Sequence, residues 1–113
     1  MKIHNITRQN FLAQEVEIAQ NPFSRMKGLL GRKSLPKGQA LIIRPCNQVH
    51  MFFMNFAIDV VFLNKENIIV GLVNSLEPNR VSPLYLKAHS AVELPPGTIL
   101  ATSTQIKDEI ELV

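Results

Sequence analysis

The sequence predicts a mainly β domain, with a minor α+β character, built as a compact small β-barrel or a sandwich-like unit with one short helix near residues 22–30. Three observations predict it. About seven segments of strand length are rich in β-branched and aromatic residues. Pro, Gly and Asn clusters separate them at short intervals. Only one place, Asn21-Pro22, carries a helix start signal. The 113 residues are read as a single domain, 1–113, long enough to bury roughly two thirds of the unfolded surface.

The elements follow in order. Val16 and Ile18 alternate with Glu15 and Glu17, the period of a half-buried strand. Asn21 then reads as an N-cap and Pro22 as the first helical residue. The helix is expected to run from Pro22 to Leu30 and to stop at Gly31. Phe23, Met26, Leu29 and Leu30 fall at helical spacing and predict a core-facing stripe. Arg25 and Arg32 would share a face if the helix persisted, although Gly28 and Gly31 weaken it. Leu35-Pro36-Lys37-Gly38 is a turn, and Ala40–Ile43 a strand closed by Pro45. Val49–Met54 and Ile58–Leu63 are the next strands. Asn64–Asn67 is a hairpin turn leading into a strand at 68–73. Pro78 and Pro83 make residues 77–86 a surface loop. Ser90–Leu94 is a strand ended by Pro95-Pro96-Gly97, and Ile110–Val113 a last, weakly alternating one.

Composition narrows the function classes. One cysteine cannot form an internal disulfide, so nothing demands an oxidising compartment. Met1–Arg8 lacks the apolar core of a signal peptide, and no apolar run nears the ~18 residues of a membrane span. The expectation is a cytoplasmic protein without membrane contact. The net charge of +3 is modest but uneven. Between Glu17 and Asp59 there is no acidic residue, while Arg25, Lys27, Arg32, Lys33, Lys37 and Arg44 all lie there. Such a block would attract an anion. The plainer reading is a solvated surface, with Glu66, Glu77, Glu93 and Glu109 as counter-charges after folding. The block lacks interleaved aromatics and any recognised binding motif, so no nucleic-acid partner is expected.

The stretch Cys46–Leu63 carries the chemistry. It sets a thiol, an imidazole, two thioethers and the carboxylate of Asp59 into an apolar run, and buried polar groups need partners. Read with Arg25-Met26-Lys27-Gly28-Leu29-Leu30-Gly31-Arg32, it resembles domain of unknown function family 192. Pro78-Asn79-Arg80 and Glu93-Leu94-Pro95-Pro96-Gly97 extend the likeness, which runs from about Val16 to about Gly97. The resemblance implies a small β fold and recurring Arg, His, Met and Asp positions near a shallow groove. The chain departs from the family at Lys107-Asp108, where relatives usually carry Gly-Asp before the last strand.

Each candidate has a plainer alternative. Cys46, His50 and Met54 are the ligand types of soft metals such as Cu(I), and a strand at 48–56 would place His50 and Met54 on one face. No paired zinc spacing accompanies them. Met and a lone Cys more often fill cores, and a lone His more often holds a structural hydrogen bond. Asp59 is expected to be buried, bonded either to Arg25, Arg32 or backbone N–H groups, or into a polar site with His50. Catalysis has little support. His50 with Asp59 could orient a base, but no nucleophile elbow or phosphate loop is present, and Glu77 and Glu93 would need the fold to pair them. The expectation is a non-enzymatic module without cofactor. It would bind an anionic or polar small molecule, or a partner segment, in a groove lined by Arg25, Arg32, His50, Met54, Asn55 and Asp59, with Phe52, Phe53 and Phe56 as walls or core. The alternatives are a soft-metal protein or enzyme using Cys46, His50 and Met54, and a protein–protein interaction domain without a pocket.

Overall fold

A computed structural model describes residues 1–113. In chain order its elements are β1 (Ile3–Asn5), β2 (Asn10–Ala13), β3 (Glu15–Ala19), α1 (Pro22–Lys27), β4 (Gln39–Ile43), β5 (Ile58–Leu63), β6 (Ile69–Leu76), β7 (Ser90–Leu94), α2 (Thr98–Ala101) and β8 (Ile110–Leu112). Every residue of β5 and of β7 is buried, as expected where β5, apolar but for Asp59, is covered on both faces. They lie side by side in a five-stranded sheet of order β3-β4-β7-β5-β6. Only β3 and β4 are parallel, joined by a crossover that carries α1. A second sheet, β2-β1-β8, brings the two ends of the chain together. The two sheets do not close into a barrel, so the sandwich-like half of the expectation describes the fold and the barrel half is corrected.

Side-chain alternation along the five strands makes two cores. Ala40, Ile42, Val61, Leu63, Val92 and Leu94 face the small sheet and Ile99 of α2. Leu41, Ile43, Ile58, Val60, Phe62 and Ala91 face the other way, toward Leu29, Leu35, Val49 and Met51. The first face is thus covered by regular structure and the second by loops around one short helix.

The hairpin at Asn64–Asn67 forms as its sequence dictates. Asn64 Oδ1 accepts from Glu66 N and Ile68 N at 3.0 and 2.9 Å, and Asn67 takes φ 61°. Three expectations are corrected. Val49–Met54 is not a strand; it makes one isolated bridge, His50 with Val81, and turns at Phe52-Phe53. The backbone it bonds to is the 77–86 loop, where Pro78 and Pro83 have no N–H with which to extend a ladder. The helix ends at Lys27 because Gly28 takes φ 46°, three residues before Gly31. It also buries none of its residues: Phe23 is 79% and Met26 78% exposed, and only Leu29, beyond the helix, reaches the core. The short elements β1, β2 and α2, a second helix among them, carry no pattern of their own in the sequence.

Candidate functional site

A helix that stands off its sheet leaves space beneath it. Between α1 with residues 28–30 on one side, and the segment from Pro45 to Met54 on the other, lies an open groove of about 560 Å³. Its size is that of a small-molecule site. Its wall and mouth carry Arg25, Met26 and Lys27 from the helix and Cys46, His50, Phe52 and Met54 from the loop. Its floor is Ile43 of β4 and Glu93 of β7.

Glu93 sits at the centre of the sheet, opposite Leu41 on one side and Val60 on the other. It is only 5% exposed, and no protein donor hydrogen-bonds its carboxyl. Burial pushes that carboxyl up to about 7, with Arg32 nearby pulling in the opposite direction. Arg32 is itself engaged: its Nη2 donates to Glu17 Oε2 at 2.7 Å. Above the floor, burial raises the Cys46 thiol. The thiol donates to Gln48 O at 3.3 Å, which lowers it, Glu93 raises it and Arg25 lowers it. The net rise keeps Cys46 a neutral thiol, not a nucleophilic thiolate. His50 is exposed at the mouth and stacks on Phe52, ring centroids 5.3 Å apart. Arg25 and Lys27 make no ion pair; those of the chain are His4–Glu111, Arg8–Asp108 and Arg32–Glu17.

The structure sorts the six expected site residues. Arg25, His50 and Met54 come together on the groove. Arg32 and Asn55 do not line it. Asn55 Nδ2 donates to Arg32 O at 3.1 Å, so these two tie the crossover to the loop beside the groove. Asp59 belongs elsewhere. It is fully buried on the opposite face of β5, bonded to no arginine. There the β5–β6 register slips: Ile58 faces Leu76 and Val60 faces Val73, so Asn74 and Ser75 together oppose Asp59. Asp59 Oδ1 accepts from Ser75 N of that bulge at 2.9 Å, and Oδ2 accepts from Ile99 N in the first turn of α2 at 2.9 Å. The carboxylate replaces the cap that Gly97 lacks a side chain to supply. A His50–Asp59 dyad is therefore impossible in this fold. Of the aromatics, Phe52 lines the groove, Phe56 is half-buried against the core, and Phe53 is 87% exposed.

Cys46, His50 and Met54, the soft-donor set, all reach the groove, yet no three of the His, Cys, Asp and Glu side chains gather where an ion could be held. Glu93, which the sequence offers only as a solvated counter-charge or as one of a carboxylate pair with Glu77, is instead buried at the groove floor. Its signal was present: a Glu two residues after Ala91 in an apolar strand must share Ala91's buried face.

No helix of the chain is long and apolar enough to cross a membrane. A UPF0127 protein of Pyrococcus furiosus is 35% identical over 112 residues, covering 95% of this chain and 94% of that one. A UPF0127 protein of Pyrococcus abyssi is 33% identical over 105 residues, covering 88% and 86%. The fold matches the crystal structure of a protein of unknown function from Novosphingobium aromaticivorans with a TM-score of 0.84 at 15% identity, over 98% of this chain and 82% of that one. The profile of the family described as Uncharacterized ACR, domain of unknown function 192, matches residues 3–112, and the chain belongs to that family.

Proposed function

We propose that the protein is a non-enzymatic binding module that takes a small polar or anionic ligand in the groove between α1 and the 45–54 loop. One observation carries the reading: the floor of an open groove holds a buried carboxyl, Glu93, that no protein group satisfies. A carboxyl that burial disfavours and that no protein donor reaches, at the floor of an open groove, suits a site that a ligand completes. Arg25, Lys27 and His50 offer charge and hydrogen bonds at the mouth, and Leu29, Val49, Met51 and Met54 offer apolar wall. The neutral Cys46 thiol, and the separation of His50 from Asp59, favour binding over catalysis.

Thermal shift with phosphates, nucleotides, carboxylates, amino acids and sugars tests this. A ligand at ~100 times its Kd adds about 2.7 kcal/mol, several degrees for a domain of this size. The expected result is a shift for some members of the panel, reduced in Glu93→Gln and in His50→Ala. If no compound shifts the wild-type protein, the groove is not a small-ligand site.

A second reading, a protein partner, is favoured by the apolar surface around the groove. Phe23 and Met26 of α1 and Phe53 of the loop are each more than three-quarters exposed. Phe53 also holds φ 65°, a conformation that bulky residues avoid. On this reading, sedimentation detects a dimer or a stable complex that Phe23→Ser and Phe53→Ser abolish. A monomer at all concentrations, with no small-ligand competition, counts against it.

A further inference from the structure

The groove is electrostatically two-ended, and this constrains what fits it. Its inner end is the Glu93 carboxyl, buried on the central strand and without a donor. Its outer end carries Arg25 and Lys27 of α1, neither held in an ion pair. Between them the wall is Leu29, Ile43, Val49, Met51 and Met54. An ordinary anion would find the right mouth and the wrong floor. A simple cation would find the reverse. Resting on the binding reading above, we infer that the ligand is amphipathic and two-ended, with a primary ammonium seated on Glu93, an apolar body along the wall, and an anionic group at Arg25 and Lys27.

The ammonium supplies the donors that Glu93 lacks, and charge-assisted bonds are the stronger kind. The same chemistry comes from two sources: a free amino acid of the ω-amino type, or the N-terminus of a peptide with an acidic residue downstream. Binding requires Glu93 ionised, so it is coupled to pH. The charged or titratable groups around Glu93 are Arg25 and Lys27 from the helix, Arg32 behind it, and Cys46 and His50 from the loop. Burial keeps Cys46 a neutral thiol. His50 is removed as a confounder by repeating the titration in His50→Ala.

The experiment is calorimetric titration with 6-aminohexanoate, hexanoate and hexylamine, and with a short acidic peptide carrying a free or an acetylated N-terminus. The expected result is that a probe with both ends binds at least about tenfold more tightly than either one-ended probe. That preference disappears in Glu93→Gln and falls in the surface variant Arg25→Gln, which leaves the core untouched. Affinity should also weaken at least about tenfold between pH 8 and pH 5.5 in the His50→Ala background, as Glu93 takes up its proton. Circular dichroism confirms that each variant is folded. Tight binding by the free amino acid, or by the unacetylated peptide alone, identifies the source. Hexanoate binding as well as 6-aminohexanoate overturns the ammonium assignment and leaves a groove for anions. Binding unchanged in Glu93→Gln overturns it too. No binding by any of these probes, combined with no shift in the broad panel, overturns both this inference and the groove reading.

Discussion

Asp59 and Glu93 are two buried carboxyls on neighbouring central strands, one residue apart in the β5–β7 register, and they point to opposite faces of the same sheet. Asp59 faces the side closed by the small sheet and α2, and both its oxygens accept backbone N–H groups. Glu93 faces the side covered by loops, at the floor of a groove, and accepts none. Both are buried, Asp59 completely and Glu93 all but 5%, yet only Asp59 is satisfied. A satisfied buried carboxylate ties a bulge and a helix end into the core. An unsatisfied one destabilises the fold and is poised for something from outside. Burial alone therefore does not identify a functional carboxyl; burial without a partner, next to open space, does.

The largest effect should come from breaking the satisfied member. Asp59→Ala leaves Ile99 N buried without an acceptor and frees the Ser75 N–H of the bulge, and is expected to cost about 2–5 kcal/mol in urea unfolding. A cost below about 1 kcal/mol would mean the bulge and α2 do not depend on it.

The unsatisfied member should act in the opposite direction and with a pH signature. Its carboxyl titrates near 4.5 when unfolded and about 7 when folded. Below the unfolded value both states are protonated, and Glu93 imposes no penalty. As pH rises from there through the folded value, the unfolded chain ionises first and stability is lost; above it the loss is constant. At roughly 1.4 kcal/mol per pH unit, the full penalty is on the order of 3 kcal/mol. Glu93→Gln should match wild type near pH 4 and exceed it above pH 7, measured by denaturant unfolding across the range. Parallel pH profiles would mean that Glu93 has a partner.

A smaller effect sharpens the contrast within the loop-covered face. A Cβ on Gly71 would lie 2.5 to 2.6 Å from the Tyr85 ring, which packs on Phe62 at 4.5 Å between centroids. Gly71→Ala should destabilise by about 1–3 kcal/mol, because here the loops over this face are tightly packed. Tolerance without loss would mean that the whole face is loose, and the groove would then be unremarkable slack.

The smallest effect concerns the closed side. Lys107 holds φ 77°, in the place where the family resemblance implies a glycine, next to Asp108. Asp108 is buried, which raises its carboxyl, but bonds from Arg8, Asn5 and Gln105 N outweigh burial and hold it below its usual value. That geometry fixes the turn whichever residue stands at 107. Lys107→Gly should therefore stabilise by about 0.5–1 kcal/mol in thermal unfolding, and a loss instead would point to a contact made by the lysine.

Much of this comparison was legible from residues alone. The apolar run around Asp59 predicted its burial, and the strands at 15–19, 39–43, 58–63 and 90–94 follow their alternation or their flanking breakers. The partners of Asp59 were not legible, because they come from a bulge in β6 sixteen residues away and from the first turn of α2. The groove's construction beneath a helix that stands off the sheet was not legible for a related reason. The stripe Phe23–Met26–Leu30 has helical spacing, but a six-residue helix ended by Gly28 is too short to lie down on the sheet. The 49–54 strand failed because the loop it bonds to contains two prolines. Local pattern gave the elements that carry their own signal; the site arose where tertiary pairing overruled it.

The most direct single measurement is an NMR titration of the Glu93 side-chain carboxyl in the folded protein, with the backbone amides followed in the same samples. The predicted result is an inflection near pH 7 that also moves the amides of Cys46 and His50 and leaves those of Ser75 and Ile99 still. An inflection in the ordinary carboxylate range, or one that carries Ser75 and Ile99 with it, would contradict the claim that Glu93 is the unpartnered floor of a separate site.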